Sequence, residues 1–240
     1  MTSPTVTAAK LVVAPVTAAA VGAVIAARRR PSPSTTSVLQ HLAAGIVIAA
    51  VAGEVLPDLR DRHSLAATLI GFTIGVTCLL ALSGVETRAE QRGRTEGVPT
   101  AMLVALTVDL FIDGILVGTG AALGEGQGRI LTIALTFEIL FLALSLTGEL
   151  VERGLSTALS TMIPIAASSA TIVGALAGAA LLGHASNAIQ AAVLAFGSAA
   201  LLYLVTEELL TEAHDTPDTT LHVAMFFVGF ISLFTVEGIL

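Results

Sequence analysis

Three carboxylates lie deep inside long apolar stretches of the chain. Asp109 and Asp113 interrupt the run 99–123, and Glu138 interrupts the run 130–151. Asp109 and Asp113 are separated by one helical turn, which places both carboxylates on one face of a helix. Like charges at this spacing repel one another unless a proton or a cation lies between them. Carboxylate oxygens suit a hard divalent cation, so we predict a cation site formed by Asp109, Asp113 and Glu138.

The composition indicates the environment of these carboxylates. Of the 240 residues, 55% are hydrophobic and only 12% are charged. An ordinary soluble domain has about 25% charged residues, so the apolar excess must face lipid. We therefore predict an all-α polytopic membrane protein whose partner is the lipid bilayer. The composition argues against a soluble enzyme, and the net charge of −7 argues against a surface for nucleic acid.

A membrane-spanning helix needs about 20 mostly apolar residues. Stretches of that kind recur along the whole chain, separated by short polar breaks, and we interpret 1–240 as a single transmembrane domain with inverted-repeat architecture. The charged linker 86–97 is the longest predicted loop of its kind, and 124–128 is predicted to be a glycine-rich turn. The eight predicted spans are roughly 8–27, 38–58, 64–86, 99–123, 130–151, 157–182, 188–210 and 221–240.

The basic residues predict the orientation of the chain. If the first, third and fifth breaks are cytosolic, seven basic residues lie inside and four lie outside, as the positive-inside rule favours. The seven are Arg28, Arg29, Arg30, Arg88, Arg92, Arg94 and Arg153, against Lys10, Arg60, Arg62 and Arg129. We predict an integral protein of the plasma (inner) membrane with both termini outside. An alternative topology without a separate first helix would place the N-terminus inside.

Acids at membrane depth are costly. Insertion scales give about 2.5–3.5 kcal/mol for one acid at a helix centre, so three together cost about 8–10 kcal/mol. No Lys or Arg lies in the central part of any predicted span. A bound cation would offset the cost. The alternative is that one or more of the acids is protonated and hydrogen-bonded to hydroxyls or to the backbone.

A second group of ionisable residues lies nearer the ends of predicted spans. We interpret this group as a pathway for the ion: Glu54, Glu207, Glu208, Glu212 and His214. Acids near helix ends can also reach the interface and be solvated, which is the alternative. His214, beside Glu212, is the histidine expected to hold a cation at the inner mouth. We expect most of the five histidines to be solvated, and these are His41, His63, His184, His214 and His222.

Two of these segments resemble each other. Glu54-Val55-Leu56-Pro57-Asp58 matches Glu208-Leu209-Leu210-Thr211-Glu212, and each follows an apolar helix rich in small residues. In the predicted topology the two helices run in opposite directions. This pattern is typical of an inverted repeat, in which the substrate site lies near the bilayer midplane.

The chain resembles the ZIP (Zrt/Irt-like) family of divalent-metal transporters over most of its length. Residues 41–59 resemble the second helix of that family, which ends in His-Leu-Leu-Pro-Glu, and residues 202–214 resemble its seventh. Residues 107–118 resemble the fourth helix, with its His-Asn-x-x-Asp/Glu-Gly motif. Residues 136–144 take the place of the fifth, whose pattern is His/Gln-Glu/Asp-x-Pro-His/Glu. The resemblance implies eight helices, both termini outside, a midplane binuclear site between helices four and five, and import toward the cytosol.

The motif positions depart from the family pattern. Asp109 replaces the histidine of the fourth helix, whereas Asp113 and Glu138 keep acids of the pattern. Three ligand positions have become apolar, and these are Leu110, Phe137 and Phe141. Carboxylates without imidazoles favour harder ions such as Mg²⁺ or Mn²⁺ over zinc, and the missing ligands favour one ion over two.

These observations predict a transporter that moves a divalent cation as its substrate, with Zn, Mn, Mg and Fe as candidates. Two alternatives remain open: a proton-linked transporter of another substrate, and a non-transporting relative that serves as a scaffold or sensor. A homodimer is an alternative to a monomer. An enzyme is not predicted, because no Ser/His/Asp or Cys/His set converges at one depth.

Overall fold

The computed structural model describes residues 3–29, 31–91, 100–217 and 219–239. Within these ranges the chain forms helices joined by short turns, which confirms the all-α prediction. Among the described residues, eight helical segments are long and apolar enough to cross a membrane, and we number them as spans one to eight. They are Pro4–Arg28, Pro33–Asp61, Leu65–Gly84, Met102–Leu123, Gly126–Glu152, Thr157–Leu182, Asn187–Ala213 and Thr220–Glu237.

Two predicted loops are shorter than the sequence suggested. The third helix continues from Leu65 to Gln91, so 86–91 is helical, and the rest of the predicted linker 86–97 lies outside the described residues. The glycine-rich turn shrinks to Gly124, because the next helix already begins at Glu125. Glycine disfavours a helix by only about 1 kcal/mol, which the flanking apolar helices outweigh.

The spans pack in pairs. Span two packs mainly against span eight, span three against span seven, span one against span five, and span four against span six. Span five is the most enclosed, with 67% of its apolar window buried, against 17% for spans three and eight. Span five therefore lies at the centre of the bundle, and spans three and eight have apolar surfaces available to lipid.

Glycines allow spans four and six to touch along their backbones. A Cβ atom at Gly114 would lie 2.2 Å from the carbonyl oxygen of Thr171, and one at Gly174 would lie 2.1 Å from that of Phe111. Small residues at an interface between membrane helices permit this close approach. Because Gly114 follows Asp113 directly, the contact also fixes the position of that carboxylate.

The two segments that match in sequence also share an irregular backbone. A π-helical turn occupies Val51–Val55 in span two, and another occupies Leu204–Leu209 in span seven. Glu54 lies in the first turn and Glu208 in the second. A third π-helical turn, Gly178–Leu182, lies in span six, so these turns are not confined to the two matched segments.

Candidate metal centre

Spans four and five bring the three predicted carboxylates together. Asp109 and Asp113 come from span four and Glu138 from span five, and one carboxylate oxygen of each lies within 4.8 Å of the others. Asp113 and Glu138 are each only 1% exposed, whereas Asp109 is partly exposed. We call Asp109, Asp113 and Glu138 the acidic cluster.

The acidic cluster contains buried oxygens without N–H or hydroxyl donors. Both carboxylate oxygens of Glu138 and one oxygen of Asp113 are buried and receive no hydrogen bond from an N–H or hydroxyl donor. The two carboxyl groups lie close enough to share a proton. A buried polar group left without a partner costs about 1–3 kcal/mol, and more if it is charged. Residues 101–123 and 130–152 contain no Lys or Arg. A cation or protons must therefore balance the cluster.

Apolar packing occupies the positions where the family motif would supply further ligands. Leu110 is 1% exposed and packs in a buried cluster with Ile139 and Ala143. Phe141 is buried in the main core, and Phe137 packs against that core. These three side chains offer no donor atoms, and the atoms of the acidic cluster that could hold an ion are carboxylate oxygens.

Span seven places a fourth acid, Glu208, near the acidic cluster. The carboxylate of Glu208 is close enough to interact electrostatically with both Asp113 and Glu138. The sequence predicted Glu208 as a pathway residue only, and the π-helical turn that carries it explains the difference. Glu208 and its neighbour Glu207 are both exposed, and Glu208 is the one that interacts with Asp113 and Glu138. The geometry therefore favours Glu208 over Glu207 as a ligand or an entry to the cluster.

Glu54 lies in a different group of acids. Its electrostatic neighbours are Glu237 in span eight and Asp58 in span two. The carboxylate of Glu237 covers Gly53, since a Cβ atom there would lie 2.1 Å from Glu237 Oε2. Sequence reasoning missed Glu237, which nothing in its local motif distinguishes. Glu54 thus belongs to a second acidic group formed by spans two and eight.

Glu212 links three spans at the end of span seven. Its Oε2 atom accepts hydrogen bonds from Gln40 Nε2 at 2.6 Å and from Ser145 Oγ at 3.2 Å. Gln40 lies in span two and Ser145 in span five. The predicted pathway residue Glu212 therefore faces other spans of the bundle.

Three of the five histidines are exposed, as the sequence predicted for most of them: His63, His184 and His214. The other two, His41 and His222, are buried, at 3% and 2% exposed. The His41 ring lies 5.4 Å from the His214 ring and 6.2 Å from the His222 ring, measured between centroids. Ser34 and Ser37, near the start of span two, satisfy His222 through their hydroxyls, and the carbonyl oxygen of Ser37 accepts from His41 Nδ1. The sequence spacing did not reveal these contacts.

Together, the spans and the acidic cluster define a polytopic membrane protein with a group of carboxylates among its helices. The family model described as ZIP Zinc transporter matches residues 86–237, more than half of the chain. The chain belongs to the ZIP zinc transporter family. This family consists of metal transporters and is not a family of enzymes. The match includes the whole acidic cluster and Glu208. A comparison with curated proteins found no match.

Proposed function

We propose that the protein transports a divalent cation across the membrane and binds it at the acidic cluster, between spans four and five near the midplane. The observation that carries the proposal is that buried oxygens of Asp113 and Glu138 receive no hydrogen bond from an N–H or hydroxyl donor. A divalent cation would supply the positive charge and the coordination that these oxygens lack. Glu208 would add a further oxygen ligand or guide the ion to the cluster.

The donor set favours a hard cation and a single ion. The side chains that meet at the cluster offer carboxylate oxygens, and the neighbouring motif positions Leu110, Phe137 and Phe141 are packed apolar groups. Oxygen ligands suit Mn²⁺ and Mg²⁺, whereas zinc prefers sites that include imidazole or thiolate. We infer that Mn²⁺ or a partly hydrated Mg²⁺ competes well with Zn²⁺ at this site.

Cation binding can be measured on the purified protein. Isothermal calorimetry should show that Mn²⁺ binds the wild type and that Asp109→Ala lowers the affinity by about tenfold or more, because one charged ligand is lost. Asp61→Asn, an exposed acid outside the cluster, serves as the control and should leave the affinity unchanged. Equal affinities for the Asp109→Ala variant and the wild type would contradict the site.

The proposed pathway joins the acidic cluster to both ends of the bundle. Glu54, with Asp58 and Glu237, would lie on the external side, and Glu212 and His214 on the cytosolic side. The direction of transport would be import, with both termini outside, as the distribution of basic residues and the family resemblance imply. The opposite predicted directions of spans two and seven, with the sequence match between 54–58 and 208–212, support binding at the interface of two inverted halves.

A further inference from the structure

A surface cavity lies at the turn between spans two and three, apart from the acidic cluster. Its volume is about 640 Å³. Span two ends at Asp61 and span three begins at Leu65, so we expect the cavity at the boundary between the hydrocarbon and the lipid headgroups. We call it the turn cavity, and its lining residues are Leu56, Leu59, Arg60, His63, Ser64, Leu65 and Thr68.

Two arginines near the turn cavity have different surroundings. The guanidinium of Arg62 is held within the protein, because its Nε donates to Asp58 Oδ2 at 2.6 Å and its Nη1 to Gln190 Oε1 at 2.7 Å. Arg60 is exposed, lines the cavity and makes no ion pair with any described residue. The acid next to it, Asp61, is exposed and is not part of the lining. The guanidinium of Arg60 is therefore available to an anion.

The N-terminus of span three adds to the positive character of the turn cavity. The backbone N–H of Thr68 donates to the carbonyl oxygen of Ser64 at 2.9 Å, and the helix begins at Leu65. N–H groups in the first turn of a helix lack intrahelical acceptors and carry partial positive charge, which favours an anion. The exposed ring of His63 can donate a further hydrogen bond. These groups, with Arg60, match a phosphate in charge.

The rest of the lining is apolar and joins the surface available to lipid. Leu59 is buried, whereas Leu56 and Leu65 are 41% and 71% exposed. Leu69, one helical turn after Leu65 in span three, is 59% exposed. These side chains offer an apolar track for an acyl chain along span three, which a free phosphate ion would not use.

A hydroxyl in the wall of the turn cavity lacks a partner. Thr68 lines the cavity, and its Oγ1 atom is buried and makes no hydrogen bond. A threonine in a helix has two accessible χ1 rotamers, so this hydroxyl can turn toward an acceptor in the cavity. The ester carbonyls of a phospholipid lie between its phosphate and its acyl chains. Thr68 lies between the polar and apolar parts of the lining in the same way, one turn inside span three.

We propose that the turn cavity binds one anionic phospholipid, with its phosphate at Arg60 and His63, an ester carbonyl at Thr68 and an acyl chain along Leu65 and Leu69. The occupant is a lipid because the cavity joins a positive surface to an apolar one. A zwitterionic lipid brings a cationic headgroup to the same positive surface, so it binds more weakly. The cavity is separate from the acidic cluster, so the proposal does not depend on the proposed function.

Native mass spectrometry of the full-length protein in detergent measures lipid binding directly. Dioleoyl phosphatidylglycerol should bind about fivefold more tightly than dioleoyl phosphatidylcholine, since one arginine near a lipid headgroup has an effect of that size. Phosphatidylglycerol should also raise the melting temperature, whereas inorganic phosphate alone should not. Equal affinities for the two lipids, or the same rise in melting temperature with inorganic phosphate, would overturn the proposal.

Variants of the lining identify the contacts. Arg60→Gln should weaken phosphatidylglycerol binding about fivefold or more, because it removes a cation at the headgroup. Thr68→Val should weaken it about fivefold, as expected for one hydrogen bond, without lowering the melting temperature of the lipid-free protein. Arg129→Gln, at an exposed arginine on the same predicted side of the membrane, is the matched control and should bind like the wild type. Unchanged affinity in Arg60→Gln would contradict the site.

Discussion

Asp113→Asn and Glu138→Gln should each reduce divalent-cation uptake into proteoliposomes by about 100-fold or more. Each change removes one buried negative charge while keeping the shape of the side chain. The two carboxylates are the most enclosed members of the acidic cluster, each only 1% exposed. Because both carboxylates are buried between helices, water cannot readily take the place of a lost ligand. We therefore expect loss of transport rather than a shift in affinity alone. Uptake of radiolabelled Mn²⁺ measures the effect.

The melting temperature distinguishes a variant that has lost the cation site from one that has lost its fold. The ion-free wild type has buried carboxylate oxygens without N–H or hydroxyl donors, whereas a neutral amide is less costly to bury. Both variants should therefore melt at or above the temperature of the ion-free wild type. Asp61→Asn, an exposed acid, should transport normally. Full uptake by both Asp113→Asn and Glu138→Gln would rule out the proposed site, and pH-driven flux without metal binding would favour the proton-linked alternative.

Gly114→Val should lower the free energy of unfolding by about 3 kcal/mol and should also impair cation binding. A Cβ atom at this position would lie 2.2 Å from the carbonyl oxygen of Thr171 and 2.8 Å from the backbone nitrogen of Ala175. These are backbone atoms and cannot rotate away. Spans four and six must separate, and Asp113 moves with its neighbour. Thermal unfolding and Mn²⁺ calorimetry of the same preparation would report both effects.

Gly148→Val is the matched control, because it places the same side chain in a spanning helix without a clash. Nothing lies within 4 Å of a Cβ atom built at Gly148. Its melting temperature and its Mn²⁺ affinity should both stay close to wild type. If Gly114→Val also matched the wild type in both measurements, the backbone contact between spans four and six would have no role in positioning Asp113.

The spans and the acidic cluster were accessible from the sequence because each has a strong local signal. Apolar length predicts a spanning helix, and an acid without a basic partner is costly enough in lipid to draw attention. Asp109 and Asp113 lie on one helix, and Glu138 lies at a similar depth in the next. Their proximity follows from the antiparallel packing of consecutive helices joined by a short turn.

The remaining features depend on contacts between distant segments, which one sequence does not reveal. A π-helical turn changes the direction of Glu208 relative to a regular helix, so helical periodicity could not place it at the cluster. His41 and His222 are far apart in the chain, and each lies near the start of a predicted span, where exposure to solvent is the usual expectation. Only the pairing of spans two and eight buries them together. The polar segment 86–91 is a separate case: it is helical because the third helix continues past the end of its apolar run.

The anomalous scattering of Mn²⁺ bound to the crystallised protein tests the central claim most directly. The account predicts one strong peak between spans four and five, about 2.0–2.6 Å from carboxylate oxygens of Asp113 and Glu138. The peak should disappear in the Glu138→Gln variant. Well-ordered spans with no peak at the acidic cluster, under conditions in which the wild type transports Mn²⁺, would contradict the account.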